Sequence, residues 1–157
     1  MQTTLGLRRR PSFLTRALLL AAITASSCAW LGPDPCKLIT KAEAEEALQG
    51  PVQDPKSETL QTTLFPGAGP IKKCGFTNGN GWLDLAVIKG CELPDDVKSL
   101  QSLQGIGGEA YWSDLALFAR KNKTCVWVVL GEYRSTFGEQ AKLEAKKKVA
   151  INALSRL

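Results

Sequence analysis

Cysteine is the residue type with most chemistry to offer in this sequence, because the 157-residue chain has five cysteines and no histidine. Histidine is the commonest general base and neutral metal ligand, so Ser-His-Asp and Cys-His mechanisms and imidazole-bearing zinc sites are excluded. No C-x-x-C pair occurs, which argues against a thioredoxin-like redox centre and against paired zinc knuckles. We therefore expect no metal, no cofactor and no catalytic residue.

The first cysteine, Cys28, follows a segment with the features of a secretory signal. Four arginines and no acid precede the short apolar run 17–25, which falls below the roughly 20 apolar residues that span a bilayer. Ala25-Ser26-Ser27-Cys28 is similar to the bacterial lipobox, in which the cysteine is lipidated and becomes the mature N-terminus. We predict a lipoprotein signal peptide over residues 1–27 and lipidation of Cys28. Cleavage after Ala29 and a retained anchor are the alternatives.

The basic excess of the chain lies mostly in that signal. The formal net charge is +5, and the four arginines of residues 1–27 account for all but +1 of it. Binding to an anionic polymer requires a cationic face on the folded domain. We therefore expect no nucleic-acid partner.

Lipidation of Cys28 leaves four cysteines, an even number in an oxidising exported compartment, and this predicts two disulfides. Four cysteines allow three connectivities. Cys36 precedes a predicted helix near the strand that Cys74 begins, and Cys91 leaves one strand as Cys125 enters another. These adjacencies favour Cys36–Cys74 and Cys91–Cys125. A reactive thiol is the alternative, disfavoured because no histidine can activate it.

Residues 28–35 indicate a short tether, and residues 36–157 suit a single domain. Thr40-Lys41-Ala42-Glu43 is a capping box that opens a helix stopped at Gly50-Pro51. Asn78-Gly79-Asn80-Gly81 predicts a hairpin turn. Strands are predicted within 52–64 and over 74–77, 82–89, 109–112, 114–120 and 124–130. A short helix over 95–103 is expected to precede the last three.

A last helix is predicted over 139–157, opened by a second capping box, Thr136-x-x-Glu139. One broad face carries apolar side chains together with two lysines, namely Lys142, Leu143, Lys146, Val149, Ala150, Ala153, Leu154 and Leu157. We expect the last three turns to dock and the lysine stems to extend to solvent. The alternative is a basic, membrane-facing helix beneath the lipid anchor.

Tight turns imply antiparallel pairing, and helices stand at both ends of the domain. We therefore predict an α+β fold, an antiparallel sheet flanked by an N-terminal and a C-terminal helix. Strand 82–89 is apolar on both faces, and only Asp84 interrupts this character.

Three stretches resemble a family of small bacterial lipoproteins of unknown function. They are the opening Asp34-Pro35-Cys36-Lys37-Leu38-Ile39-Thr40-Lys41-Ala42-Glu43, the strand start Cys74-Gly75-Phe76, and Gly105-Ile106-Gly107-Gly108-Glu109-Ala110-Tyr111. The family often has Asp where this chain has Gly108. The resemblance implies an α/β sandwich of the PsbP-like kind with a Cys36–Cys74 bridge, and it implies no known activity.

Aromatic residues on predicted strands are the remaining candidates for binding. Trp82, Tyr111, Trp112 and Trp127 are typical of core packing, and the alternative is a partly exposed groove formed by Trp82, Tyr111 and Trp112. Gly105-x-Gly107-x-x-Ala110 matches a dinucleotide fingerprint only as a string, because a strand pattern follows where a helix is required. We interpret its glycines as turn positions with positive φ.

The sequence thus favours a non-catalytic, lipid-anchored envelope protein on the periplasmic or outer-surface side of a bacterial membrane. Its partner would be an envelope protein or a small apolar ligand. The rival hypothesis is a hydrolase that uses carboxylates alone, which needs two acids about 5–9 Å apart in one cleft. Asp84 with Glu109 or Asp114 is the candidate pair.

Overall fold

The computed structural model describes residues 32–61, 65, 70–133 and 137–157, and within these ranges seven strands form one antiparallel sheet. The predictions for the signal segment, Cys28 and Thr136 lie outside the described residues. The helices are α1 (Lys41–Ala47), α2 (Asp95–Lys98) and α3 (Glu139–Ser155), with a 3-10 turn at Pro35–Lys37. The strands are β1 (Lys56–Leu60), β2 (Ile71–Thr77), β3 (Gly81–Lys89), β4 (Gln101–Leu103), β5 (Glu109–Trp112), β6 (Ala116–Lys121) and β7 (Thr124–Glu132).

The sheet is built around the pairing of β3 with β7, in the strand order β1-β2-β3-β7-β6-β5-β4. These two strands pair over nine residues, from Gly81 opposite Glu132 to Lys89 opposite Thr124. The predicted α+β fold, with an antiparallel sheet and a helix from each end of the domain, is confirmed. Because side chains alternate along a strand, the central pair supplies apolar residues to both faces.

The first face, here called the helical face, is packed by α1 and α3. Leu83, Leu85 and Val87 of β3 lie on it, all 1% exposed or less. On the same face α3 packs over β7 and β6 and buries Leu143, Val149, Ala150, Ala153 and Leu154 in the same core cluster. The apolar side of α3 therefore packs on the protein's own sheet and not outward as a membrane-facing surface. Among the described residues, no helix combines the length and apolar character needed to cross a bilayer.

The second face, here called the opposite face, is covered by the described residues over part of its area. Ile71, Ile88 and Cys125 are buried there beneath Phe65 and the segment that runs from Cys91 through α2. Trp82, Asp84 and Val129, farther along the same strands, are only partly buried. We call this second region the open end of the opposite face.

Both predicted disulfides are present. Cys36 bonds to Cys74 with a Cα separation of 5.1 Å, and Cys91 bonds to Cys125 with a Cα separation of 6.0 Å. The first joins the 3-10 turn ahead of α1 to β2 on the helical face. The second joins the segment that covers the opposite face to β7. Each bridge thus ties one covering layer to the sheet.

The capping box of α1 is confirmed, since the Thr40 hydroxyl accepts from the Glu43 N–H and the Glu43 carboxylate accepts from the Thr40 N–H. At the other end of α1, the side-chain amides of Asn78 and Asn80 both donate to the Leu48 carbonyl. Carbonyls at a helix end have no partner within the helix, so the β2–β3 turn satisfies one of them. The turn therefore fixes the position of α1.

Glu43 also joins α1 to the end of α3. Its carboxylate accepts hydrogen bonds of 2.7 and 2.8 Å from the Arg156 guanidinium and one of 2.7 Å from the Asn152 amide. The bonds from Arg156 lower the pKa of Glu43 to about 2, against the opposing effect of its burial. The two helices are therefore held together by an ionised carboxylate.

The prediction of a helix over 95–103 is wrong for the second half of that range. α2 is one turn long, and 101–103 form strand β4, which pairs with β5. Three backbone pairs to β5 outweigh the local helix preference of this segment. The glycines that follow are turn positions as predicted, with φ of 80° at Gly105 and 63° at Gly107. Strand β5 comes next, so no helix follows them to bind a pyrophosphate.

The start of α3 differs from the predicted spacing of a second capping box. α3 begins at Glu139 as predicted, but its N-cap is Gly138, which places Glu139 too early in the helix to be the acidic partner of a Thr136 cap. Glu132 lies at this helix start instead. Its carboxylate accepts from the Phe137 N–H at 3.1 Å and pairs with Lys142 at 2.6 Å. The Glu132 carboxylate, at the end of β7, thus accepts from a backbone N–H at the helix start, as a capping side chain would.

Lys146 departs most from expectation, because its side chain is 0% exposed and does not extend to solvent. Its ammonium donates to the carbonyls of Ser113 at 3.3 Å and Asp114 at 2.6 Å, in the turn between β5 and β6. Among the described residues it forms no ion pair. Burial disfavours the charged form and lowers the pKa of Lys146. The helical face therefore contains a lysine held by backbone carbonyls.

We predict a distinctive pH dependence for Lys146→Met. In the unfolded chain Lys146 keeps the ordinary lysine pKa of 10.5. At a pH between the lowered pKa of the folded state and 10.5, the unfolded chain therefore binds a proton that the folded state does not. The free energy of unfolding of the wild type, minus that of the variant, should rise as the pH approaches 10.5. The rise is roughly 1.4 kcal/mol for each unit by which the folded pKa is lowered. Urea denaturation across this pH range measures it.

The matched control is Lys142→Met, one turn earlier on α3. In the wild type, hydrogen bonds to Glu132 and Glu139 raise the pKa of Lys142. The free energy of unfolding of the wild type, minus that of Lys142→Met, should therefore fall as the pH rises through that raised pKa. If the free energy of unfolding of the wild type minus that of Lys146→Met does not change with pH, the assignment of a buried, titrating ammonium is contradicted.

Candidate functional site

The three aromatic residues predicted to form a groove do not come together. Trp82 and Tyr111 lie on the opposite face, but β7 and β6 separate their strands, a distance of about 14 Å at the usual strand spacing. Trp112 follows Tyr111 in β5, so its side chain points to the helical face and packs against the core there. Of the three, only Trp82 lies at the open end.

Trp82 covers the backbone of β7 at Gly131. A methyl group at Gly131 would lie 2.0 Å from the Trp82 ring, so the indole can lie there only because Gly131 has no side chain. The ring centroid of Tyr133 is 5.5 Å from that of Trp82, and Tyr133 is 61% exposed. These residues form an aromatic surface at the edge of the open end.

Trp127, between Trp82 and Tyr111 on the sheet, is the aromatic residue that the sequence prediction left out of the binding set. Its indole stacks on Phe118 at a centroid distance of 5.9 Å and an interplanar angle of 13°, and Phe65 packs against both rings. The indole N–H is buried and has no hydrogen-bond partner among the described residues. The stack fixes the plane of Trp127 at the boundary between the covered and open regions.

A cluster of three charged side chains lies on the same face, and two of them, Lys73 and Asp84, line a cleft together with Trp127. The Lys73 ammonium of β2 is 3.1 Å from a Glu58 oxygen on β1 and 3.1 Å from Oδ2 of Asp84 on β3. The sheet register places all three on adjacent strands of the opposite face. The sequence marks Asp84 as the polar residue within an apolar strand. Only the register of the sheet shows that Glu58 and Lys73 belong to the same cluster.

Lys73 is a permanent cation in this cluster. Burial of its side chain disfavours the ammonium and lowers its pKa, but hydrogen bonds to Asp84 and Glu58 act in the opposite direction. The net result is that the pKa of Lys73 is raised. Lys73 therefore holds the two carboxylates together.

A cleft at the open end adjoins this cluster and measures ≈ 90 Å³. It is lined by Leu60, Lys73, Asp84, Ala86, Trp127 and Val129. A second cleft, between α1 and α3, measures ≈ 210 Å³, and its rim includes Glu43 and Glu46, which pair with Arg156 and Lys148. Both are smaller than the roughly 300–1,000 Å³ typical of small-molecule pockets. Their size fits the insertion of single side chains better than the enclosure of a whole ligand.

The acid pairs proposed for a hydrolase do not form. Glu109 is three strands from Asp84 and pairs with Arg120 at 2.9 Å, and Asp114 lies in the β5–β6 turn. Glu58 and Asp84 do converge, but the ammonium of Lys73 occupies the position between them where a scissile bond would have to lie. Within the described ranges, no three acidic or cysteine side chains are grouped closely enough to hold a metal ion.

In comparisons with known proteins, no family model, no curated protein and no solved structure matches the chain.

We predict that Gly131→Ala disrupts the open end. The added methyl forces Trp82 off the backbone of β7, which should lower the free energy of unfolding by roughly 1–3 kcal/mol and change the near-ultraviolet circular dichroism of the aromatic residues. Gly79→Ala is the control, since a methyl there meets no atom within 4 Å and the residue has no positive φ. Equal effects of the two substitutions would show that Trp82 does not depend on Gly131.

Proposed function

We propose that this chain is a lipid-anchored envelope protein whose domain binds a partner protein through the open end of the opposite face, without catalysis. The export signal, the lipobox-like sequence before Cys28 and the resemblance to small bacterial lipoproteins support the anchor and a location on the periplasmic or outer-surface side. Two disulfides agree with an oxidising compartment.

The observation that carries the binding role is that the described residues cover the opposite face incompletely. Phe65 and the segment from Cys91 through α2 bury one part of it, while Trp82 and Val129 remain partly exposed beside the exposed Tyr133. Tryptophan and tyrosine are enriched where proteins bind one another, because each ring combines a large apolar area with a polar group.

The small size of the two clefts described above favours a macromolecular partner. A small apolar ligand would need more enclosed volume than ≈ 90 or ≈ 210 Å³ to bury most of its surface. The second candidate function is a carboxylate-dependent hydrolase, favoured by the convergence of Glu58 and Asp84 and opposed by Lys73 between them.

The anchor is tested by Cys28→Ser. Lipidation requires the cysteine thiol, so the wild type should fractionate with membranes and the variant should not. Intact-mass spectrometry should show a mature wild-type chain that begins at Cys28 and carries acyl mass. A mature N-terminus at Trp30 without added mass would contradict the anchor.

The surface is tested by placing a photo-crosslinking amino acid at position 133 in cells. Because Tyr133 borders the open end, we expect a discrete crosslinked product that Gly131→Ala weakens. The control position is Ile151, which is 47% exposed on α3 and belongs to the helical layer. The same product from both positions, or none from position 133, would contradict the proposed surface.

A further inference from the structure

The cleft beside Asp84 has the size of a single side-chain end. Its volume of ≈ 90 Å³ corresponds to about three water molecules. Ala86 and Val129 provide apolar contact, Trp127 provides an aromatic surface, and Asp84 provides charge. A cleft with these properties can receive a side chain that is partly apolar along its length and polar at its end.

The charge at the cleft is negative in excess. Glu58 and Asp84 carry two negative charges, and Lys73 neutralises one of them. Oδ2 of Asp84 bonds to Lys73, whereas Oδ1 has no hydrogen-bond partner among the described residues. Lys56, the nearest other cation on this face of β1, is exposed and forms no ion pair with either carboxylate in the described part of the chain. The free acceptor and the charge both favour a cation.

Gly75 leaves the approach to that acceptor clear. It lies opposite Asp84 in the β2–β3 pairing, and a methyl group at this position would lie 2.9 Å from Oδ1 of Asp84. Any larger residue would therefore crowd the unpaired oxygen. The absence of a side chain at Gly75 keeps space next to this unpaired oxygen of Asp84.

The aromatic wall decides which cation fits best. Trp127 is held in its plane by Phe118 and Phe65. A guanidinium is planar, stacks on an aromatic face and still directs N–H groups at a carboxylate in its own plane. A lysine ammonium is more strongly hydrated and cannot stack. An anion would approach Lys73 against the excess negative charge.

We propose that this cleft receives an arginine side chain of the partner protein, with its guanidinium bonded to Oδ1 of Asp84 and close to the Trp127 ring. The inference rests on the proposed function, since it names the chemistry by which the open end recognises its partner. Lys73 keeps Glu58 as its partner when Asp84 is engaged, so no charge is left unpaired.

The test is a titration of the full chain in detergent micelles, followed by nuclear magnetic resonance of the tryptophan indole N–H signals. The ligands are N-acetyl-arginine amide and its neutral isostere, N-acetyl-citrulline amide. We expect arginine to cause a saturable shift of the Trp127 signal, weakened by added salt, and citrulline to bind at least about tenfold more weakly because it lacks the charge.

Two variants should weaken arginine binding at least about tenfold, namely Asp84→Asn, which removes the charge, and Gly75→Ala, which crowds the oxygen. Asp54→Asn is the matched control, since it removes an equal charge from the exposed pair with Lys41 and should leave binding unchanged. The other amide signals report whether each variant remains folded.

Equal binding of citrulline, an equal loss in Asp54→Asn, or no loss in Asp84→Asn would overturn the arginine assignment. An absent shift of Trp127 would overturn it as well. If crosslinking from position 133 persists in that case, the proposed partner surface stands and only its chemistry is wrong. If crosslinking also fails, both proposals fall.

Discussion

The nine-residue pairing of β3 with β7 is the constraint on which the rest of the structure depends. It places two apolar strands at the centre of the sheet, and because side chains alternate, both faces must be covered. The helices from the two ends of the domain cover one face. On the other face, Phe65 and the segment from Cys91 through α2 are the described residues that give cover, and they bury one part of that face. The partial cover, and with it the candidate binding surface, is a consequence of a central strand pair that is apolar on both sides.

The disulfides and the charged contacts then secure the covering layers rather than the sheet. Cys36–Cys74 fixes the start of the helical layer, and Cys91–Cys125 fixes the cover of the opposite face. Glu43 and Arg156 hold the two helices to each other through a bidentate contact. These links act between segments far apart in the sequence. The cluster of Lys73, Glu58 and Asp84 differs because it lies within the sheet and crosses three neighbouring strands.

Local rules failed where a distant residue took the role that the rule assigned to a neighbour. The start of α3 is held by Glu132 at the end of β7, because its N-cap, Gly138, has no side chain. The segment 101–103 pairs with β5, although its surroundings favour a helix. Lys146 finds two carbonyls in the β5–β6 turn, which satisfies an ammonium that would otherwise have to reach solvent. In each case the favourable partner is more than four residues away, beyond the range of a helix-local pattern.

The sequence by itself determined most of the helices and strands and the fold class. The capping box of α1, the asparagine-glycine turn and the alternation in β3 are local signals, and the even count of cysteines after Cys28 indicated the bridges through predicted adjacency. What only the tertiary structure decided is which side chains meet. Trp82, Tyr111 and Trp112 were equivalent as aromatic residues on strands, but the register places them apart. Glu58, Lys73, Asp84 and Trp127 are spread over some 70 residues and four strands. Register is set by the sum of all pairings across the sheet, so no short segment of sequence encodes it.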